Sequence, residues 1–449
     1  INLEKHRAGI DLTFSAPKSL SLAALVGGNE ALELAHRTAV ARTLEVIEKR
    51  YAQTRVRTKE GRKAIATGNF IVAQFHHDTS REKDPQLHTH CVVINATQLE
   101  DGRWQSLHND VLFKQQKLLG MIYQNELAVE VQRLGYAIAL RANGQFELQG
   151  YRLEDMQNFS KRREQILAAV GEQATAQERE LATLMTRAPK GKEIPRQELR
   201  AYWQAQAEVL HLEHPQPQVL DWQSHPKRGM RAGLNHCSER EAIFRREQVE
   251  RFALENHLGH QYFEELQQTI DADPEVIHTY DQRLTTQKAV LRELETIRMV
   301  LDSRGQVGAL AEPCQGQIAS EDWVASTLEN QGLTKGQYEG ILLAATTRDR
   351  VIAWQGVAGA GKSYALNQFR RIAEAQGYTV RGFAPSAEAA KSLGDSAQIQ
   401  RTETVASLLC AQPQETTSQF PEIWVVDEAG LLSAKDALAL LTHAEEQQA

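Results

Sequence analysis

Phe75-His76-His77-Asp78, followed by Asp84-Pro85-Gln86-Leu87-His88-Thr89-His90-Cys91-Val92-Val93, is the stretch that decides how this sequence folds. His88 and His90 stand two apart in a largely apolar run from Leu87 to Ala96. In a strand, residues two apart point to the same face, so both imidazoles project together. His77 follows an earlier apolar run, Asn69 to Phe75, and Asp78 to Gln86 reads as the connecting loop. If the two runs pair as an antiparallel hairpin, His77 lands beside His88 and His90. Three neutral nitrogen donors then share a rigid sheet with other coordination positions open, which suits a catalytic metal better than a structural one.

The ligand type leaves the metal open. Zinc could activate water here, or a divalent ion could hold a substrate phosphate; imidazole suits Zn, Ni, Cu and Fe better than Mg. The competing reading is a set of ordinary polar residues on the solvent face of a hairpin. Two strands that each bring histidine to one face favour the metal.

Working outward, Gly9 to Ser15 alternates as a strand, with Ile10, Leu12 and Phe14 on one face and Asp11, Thr13 and Ser15 on the other. Asp11 is either a solvated strand residue or a carboxylate beside the metal. Ser15 to Ser19, with Pro17 and Lys18, is a turn. Asn29 can cap a helix to about Arg50 whose buried stripe is Leu32, Ala35, Ala39, Val40, Leu44 and Ile47. Lys49, Arg50, Arg55, Arg57, Lys59, Arg62 and Lys63 then form a basic cluster, read either as a solvated loop or as a hairpin tracking phosphates. Ala64 to Phe75 and Leu87 to Thr97 are the expected metal-site strands.

Further on, Phe113 to Leu134 has helical periodicity, and Gly135 to Leu148 reads as a hairpin turning at Ala142-Asn143-Gly144. Leu153 to Val170, Gln177 to Met185 and Gln197 to Leu212 are further helices, with Arg187 to Lys192 a basic link. From Asp221 to about Leu301 the chain is charged and helical, clearest over Glu239 to Glu255 and Thr286 to Leu301. Arg304 to Gln317 reads as a linker.

A second motif follows. Arg350 to Trp354 reads as an apolar strand, and Gly356-Val357-Ala358-Gly359-Ala360-Gly361-Lys362-Ser363 is the GxxxxGK[ST] phosphate loop ahead of a helix from Tyr364 to Ala375. Such a loop cradles phosphates on backbone N–H groups and a helix N-terminus, with Lys362 on the β/γ oxygens and Ser363 on Mg²⁺. Tyr378 to Pro385 is a strand. Ile423 to Val426 is another, ending in Asp427, placed for the Mg²⁺ shell, and Glu428, placed to orient an attacking water. Gln337, on a helix opening at Thr334, joins Gly356, Gly359, Gly361, Lys362, Ser363 and Asp427 as a nucleotide-binding candidate.

Composition bounds the rest. The chain has 449 residues, a formal charge of −7 and a pI near 6.1, so two to four domains are expected and any nucleic-acid contact must come from local patches. Cys91, Cys237, Cys314 and Cys410 are scattered and form no CxxC pair, which fits a reducing cytosol. No run is long and apolar enough for membrane insertion, and no signal peptide opens the chain. Ile1 stands first, and Glu445 to Ala449 follow closely on a helical pattern, so the sequence reads as a fragment.

Three segments resemble the MobF-type conjugative relaxases, HUH endonucleases fused to a RecD-like helicase. These are His6 to Ser19 (His-Arg-Ala-Gly-Ile-Asp-Leu-Thr-Phe-Ser-Ala-Pro-Lys-Ser), His77-Asp78-Thr79-Ser80-Arg81, and Pro85-Gln86-Leu87-His88-Thr89-His90. The phosphate loop and Val425-Val426-Asp427-Glu428 look like that helicase. The resemblance implies that His77, His88 and His90 hold a divalent ion, Mg²⁺ or Mn²⁺, which polarises the scissile phosphate. It implies that Asp11 sits beside a nucleophilic tyrosine and helps activate it, and that ATP with Mg²⁺ occupies the phosphate loop. Asp11 and Glu428 are then the catalytic candidates. Lys18, Arg55, Arg57, Arg62 and Lys63 are the DNA-contacting ones. Implied partners are single-stranded DNA at a transfer origin, accessory DNA-binding proteins and type IV secretion coupling proteins.

The expected architecture is an α+β relaxase domain over residues 1–215, an antiparallel sheet with helices of HUH type. A helical linker or helicase accessory region follows over 216–325, then a partial α/β P-loop, RecA-like helicase domain over 326–449. The family's nucleophilic tyrosines lie upstream of the Asp11 strand, where Ile1 to Ile10 carries none, and its later helicase motifs lie beyond Glu428. The chain is therefore expected neither to nick nor to unwind by itself. A DNA-binding or loading module without chemistry is the alternative. A zinc hydrolase fused to a P-loop kinase would leave Thr13 to Lys18 unexplained.

Overall fold

Alternation of apolar and polar residues settles the first sheet. In the computed structural model, which describes residues 8–59, 61–171, 174–175, 194–311, 320–357, 359–411 and 421–449, three strands form it. They are β1 (Gly9–Ser15), β4 (Val72–Thr79) and β5 (Pro85–Ile94), in the order β1-β5-β4, all antiparallel. Leu87, Thr89, Cys91 and Val93 of β5 are buried on one face, while Gln86, His88, His90 and Val92 are half-exposed on the other.

Beneath the buried face runs α1 (Glu30–Tyr51), started by Asn29, whose side chain accepts from the amides of Ala31 and Leu32 at 3.1 and 3.3 Å. Leu32, Ala35, Ala39, Val40, Leu44 and Ile47 are its buried stripe, as their spacing requires. It packs along α2 (Gln116–Arg133).

The expected strand from Ala64 to Phe75 is instead two strands in two sheets. Gly61–Ala66 (β3) pairs with Gln53–Thr58 (β2) as a separate hairpin. Gly68 breaks the run with a left-handed φ of +65°, and the amide of Thr67 turns back to the carbonyl of Ala52 at 2.8 Å. Only Gly adopts that φ freely. The metal-site strand starts after this break and runs on through His77 to Thr79. Leu87 to Thr97 likewise divides, into β5 and a short pair, β6 (Thr97–Gln98) with β7 (Trp104–Gln105).

The chain falls into two units, Ile1–Gly233 with Arg246–Asp273, and Leu234–Arg245 with Pro274–Ala449. Residues 216–325 therefore contribute to both. In the first unit, α3 (Arg246–Asn256) and α4 (Phe263–Ala272) dock on the α1/α2 layer. Arg50 reaches Glu250 at 2.8 Å, Asn125 donates to the carbonyl of Gln261 at 2.8 Å, and the amide of Phe263 donates to Glu126 at 2.7 Å.

The second unit holds a parallel sheet of β8 (Thr379–Ala384), β9 (Arg401–Thr404) and β10 (Glu422–Val426), ordered β9-β8-β10. Helices Lys335–Thr346 (α5), Lys362–Ala375 (α6) and Ala387–Ala397 (α7) enclose a core with Ile341, Phe369, Ile372, Val380 and Leu393. Arg350 to Trp354 is not a strand: residues 351–357 make no ladder. The Trp354 indole lies over Gly340 instead, so close that a Cβ there would meet it at 2.7 Å. The expected helix at Gln177 to Met185 and the link at Arg187 to Lys192 lie outside the described residues, as does the end of the Arg304 to Gln317 linker. No helix among the described residues is long and apolar enough to cross a membrane.

Candidate functional site

Strand register brings the three histidines together. His77 of β4 lies directly across from His88 of β5, and His90 lies across from Thr13 of β1 and Phe75 of β4. The ring centroids form a near-equilateral triangle: 5.3 Å for His77–His88, 5.3 Å for His77–His90 and 5.2 Å for His88–His90. Dividing such a side by √3 puts the centre about 3 Å from each centroid. An ion about 2 Å from each ring nitrogen needs that separation once the ring radius is added. The His90 ring stands at 88° and 74° to the other two, which lie within 20° of parallel. Among the described residues no group of three such side chains is closed enough to hold an ion as it stands.

Outer hydrogen bonds set the tautomers of two of the rings. His90 Nδ1 lies 2.7 Å from Asp11 Oδ2 and 3.1 Å from Thr13 Oγ1. An ionised carboxylate only accepts, so Nδ1 carries the proton and Nε2 presents a lone pair. His88 Nδ1 donates to the Gln86 carbonyl at 3.0 Å, with the same consequence. Bonds of this kind fix tautomer and orientation in metal-binding histidines. Burial, above all, lowers the His88 pKa and keeps the ring neutral, the form that coordinates. Asp11 thus touches a histidine of the triad, on the same face.

Behind the triad a chain of polar side chains, buried except for His76, links the strands to α1. Thr89 Oγ1 meets His76 Nδ1 at 2.9 Å and His36 Nε2 at 2.8 Å, and His36 Nδ1 meets the Tyr123 hydroxyl at 2.8 Å. Burial pushes the His36 pKa down to about 3, with His76 and His88 adding to the effect. Period-two parity puts His76 on the face opposite His77; no sequence signal shows that a histidine of α1 shares its Thr89 partner there.

Of the basic candidates, Arg55, Arg57 and Arg62 share one face of the β2–β3 hairpin, because Arg57 pairs with Arg62 and Arg55 with Ala64. Lys63, opposite Val56, is on the other face. Two guanidiniums directly opposed repel, and an anion between them removes that penalty. Arg55 also bonds Asp110 at 3.0 Å. Two cations leave the expected patch. Arg50 turns inward to Glu250. Lys18 donates to the carbonyls of Pro85 and Phe159, both at 2.9 Å, and desolvation brings its pKa to about 8. It braces the start of β5 rather than standing free for a phosphate. Tyr51 ends α1 with its hydroxyl buried and no hydrogen-bond partner among the described residues; burial lifts its pKa to about 12.

In the second unit, Gly359 and Gly361 hold left-handed φ values of +76° and +71°, and α6 begins directly after. Ala358 lies outside the described residues. Gln337 Nε2 donates to the carbonyls of Ala360 at 2.8 Å and Gly361 at 3.3 Å, so α5 anchors the loop. Lys362 Nζ donates to the Gly356 carbonyl at 2.8 Å, folded over the loop, and Ser363 follows on the first turn of α6. Asp427 and Glu428 follow β10 at the carboxyl end of the parallel sheet, where α/β folds bind ligands. The Asp427 side chain accepts from the amide of Glu428, at 2.9 Å, and Glu428 has a φ of +53°.

Residues 2–210 match the family model described as TrwC relaxase, and residues 332–449 match that of an AAA domain. The multifunctional conjugation protein TraI of Escherichia coli is 43% identical over 196 residues, 41% of this chain and 11% of that protein. The TraI of E. coli strain K12 is 41% identical over 196 residues, with the same shares. The chain therefore matches only 11% of the length of these curated relatives. Among solved structures, the conjugative relaxase TrwC in complex with oriT DNA is 42% identical, both metal-free and metal-bound. Each has a TM-score of 0.45 and covers 48% of this chain, with 78% and 76% of the TrwC chain matched respectively.

Proposed function

With a TrwC-type relaxase segment at residues 2–210 and an AAA segment at 332–449 in one chain, we propose that this protein is a conjugative DNA relaxase coupled to an ATP-driven helicase. The reaction is site- and strand-specific transesterification at a transfer origin through a tyrosine. The observation that carries this reading is the triangle of His77, His88 and His90 on the open face of one sheet, with Asp11 on His90. A divalent ion bound there, Mg²⁺ or Mn²⁺, would act as a Lewis acid on the scissile phosphate. The chain's own residues do the rest. The three imidazoles present neutral nitrogens, and the Asp11 carboxylate holds the His90 tautomer and offers its other oxygen to a tyrosine hydroxyl. The β2–β3 hairpin tracks the DNA backbone through Arg55, Arg57 and Arg62, with Lys63 on its reverse face.

In the second segment, Gly356, Gly359, Gly361, Lys362 and Ser363 cradle ATP with Mg²⁺. Gln337 braces the loop, Asp427 serves the Mg²⁺ shell and Glu428 orients water. The partners are single-stranded DNA at the transfer origin, accessory DNA-binding proteins and a type IV secretion coupling protein, in the bacterial cytoplasm.

The test uses the full-length reading frame and a supercoiled plasmid bearing its transfer origin. Nicking of one strand that requires Mg²⁺ or Mn²⁺, and is lost in His88→Ala and His90→Ala, is the expected result. Metal-independent DNA binding without nicking would replace this reading with that of a loading module.

A further inference from the structure

Phe75 is the large apolar residue on the histidine face, and it is 52% exposed. Strand pairing sets it directly across from His90 and, two residues along β4, beside His77. β4 is the edge of the sheet, so among the described residues one side of the ring meets no further strand. Its same-face neighbour on the strand, Ala73, is too small to cover it. Leaving a phenyl in water is unfavourable, and a flat apolar surface laid on it gains free energy in proportion to the area removed from water. Across the sheet on that face stand His90, Thr13 and Asp11, the polar side of the site.

We propose that Phe75 is a positioning residue that stacks a nucleobase next to the phosphate held at the triad. This rests on the reading of that face as a single-stranded DNA site and deepens it. Residues two apart on a strand are separated by about 7 Å, on the order of one nucleotide step along an extended strand. A base on Phe75 therefore leaves its neighbouring phosphate over His77 and His90. Stacking reads the flat face that all bases share, so Phe75 sets register without choosing sequence. It fixes the offset between a stacked base and the phosphodiester at the ion, a task that the imidazoles, which recognise only the ion, do not perform.

The experiment photo-cross-links the full chain to a 25-nucleotide oligo(dT) carrying 5-iododeoxyuridine and maps the adduct by mass spectrometry. The adduct is expected on Phe75. Phe75→Ala should weaken binding of that oligonucleotide roughly five- to 150-fold, the range for losing one stacked base. The salt dependence should stay unchanged, since no phosphate contact is lost. Phe75→Trp should restore the affinity and Phe75→Leu should not. Tight binding with adducts elsewhere and an unaffected Phe75→Ala would overturn the inference alone. No binding by the parent chain would overturn it together with the reading beneath it.

Discussion

Asp11 shows what a single residue adds. Its carboxylate is 2.7 Å from His90 Nδ1, a charge-assisted bond that holds one tautomer and one ring orientation. Removing such an outer partner usually lowers metal affinity 10- to 100-fold. Asp11→Ala should therefore weaken Mn²⁺ binding by that factor in calorimetric titration, while the chain stays folded. Lys18 makes the opposite case. Its ammonium is held by the carbonyls of Pro85 and Phe159. Lys18→Met should cost about 1–3 kcal/mol of stability by stranding those carbonyls. It should leave the salt dependence of DNA binding unchanged; a reduced slope would return Lys18 to the phosphate contacts. The sequence made the Asp11 parity legible, because alternation fixes the face. It did not show where Lys18 pointed, because a four-carbon stem reaches partners that spacing does not reveal.

At the scale of elements, the β4–β5 pairing depends on Thr89, bonded to both His76 and His36 beneath the sheet. Burial lowers the folded pKa of His36 from 6.5 to about 3. Between those values the unfolded chain binds a proton that the folded chain does not, so stability falls as pH drops from 6.5 towards 3. The slope from this one group approaches ~1.4 kcal/mol per pH unit. Urea titrations at pH 7, 5 and 4 should show a smaller acid loss in His36→Gln than in the parent; equal losses would remove His36 from the account. The basic hairpin gives a second element test. Alanine at Arg55, Arg57 and Arg62 should lower the log–log salt slope for single strands by about 2, at ~0.7 per phosphate contact. The face of β1 was readable from period two, and β5 from its apolar run with two histidines two apart. The split at Gly68 was not, since a lone glycine inside an apolar run fits a bulge as well as a break. The missing strand at Arg350 to Trp354 has a similar origin: apolar content fits a strand, but Trp354 finds its cover on Gly340 of a helix.

At the scale of the whole molecule, the least readable feature was the return of residues 246–273 to the first unit. Arg50 sits in a basic run by sequence, yet its partner, Glu250, lies two hundred positions away. No periodicity encodes a pairing at that range. Two units with separate cores nonetheless make a prediction that local patterns support. A ligand that binds only the folded form raises stability by RT ln(1 + [L]/Kd). If the triad and the phosphate loop are the binding sites, each ligand stabilises the unit that holds it. At a concentration 100 times Kd, Mn²⁺ should add about 2.7 kcal/mol to the unit with His77, His88 and His90. MgATP should do the same for the unit with Lys362 and Ser363. Hydrogen exchange read peptide by peptide assigns the gain: protection in β4 and β5 with Mn²⁺, and in α6 with MgATP. Mn²⁺ protection should vanish in His88→Ala and MgATP protection in Lys362→Ala. Protection appearing in the wrong unit would mean that the ligand binds elsewhere, and the assignment of that site would be lost with it.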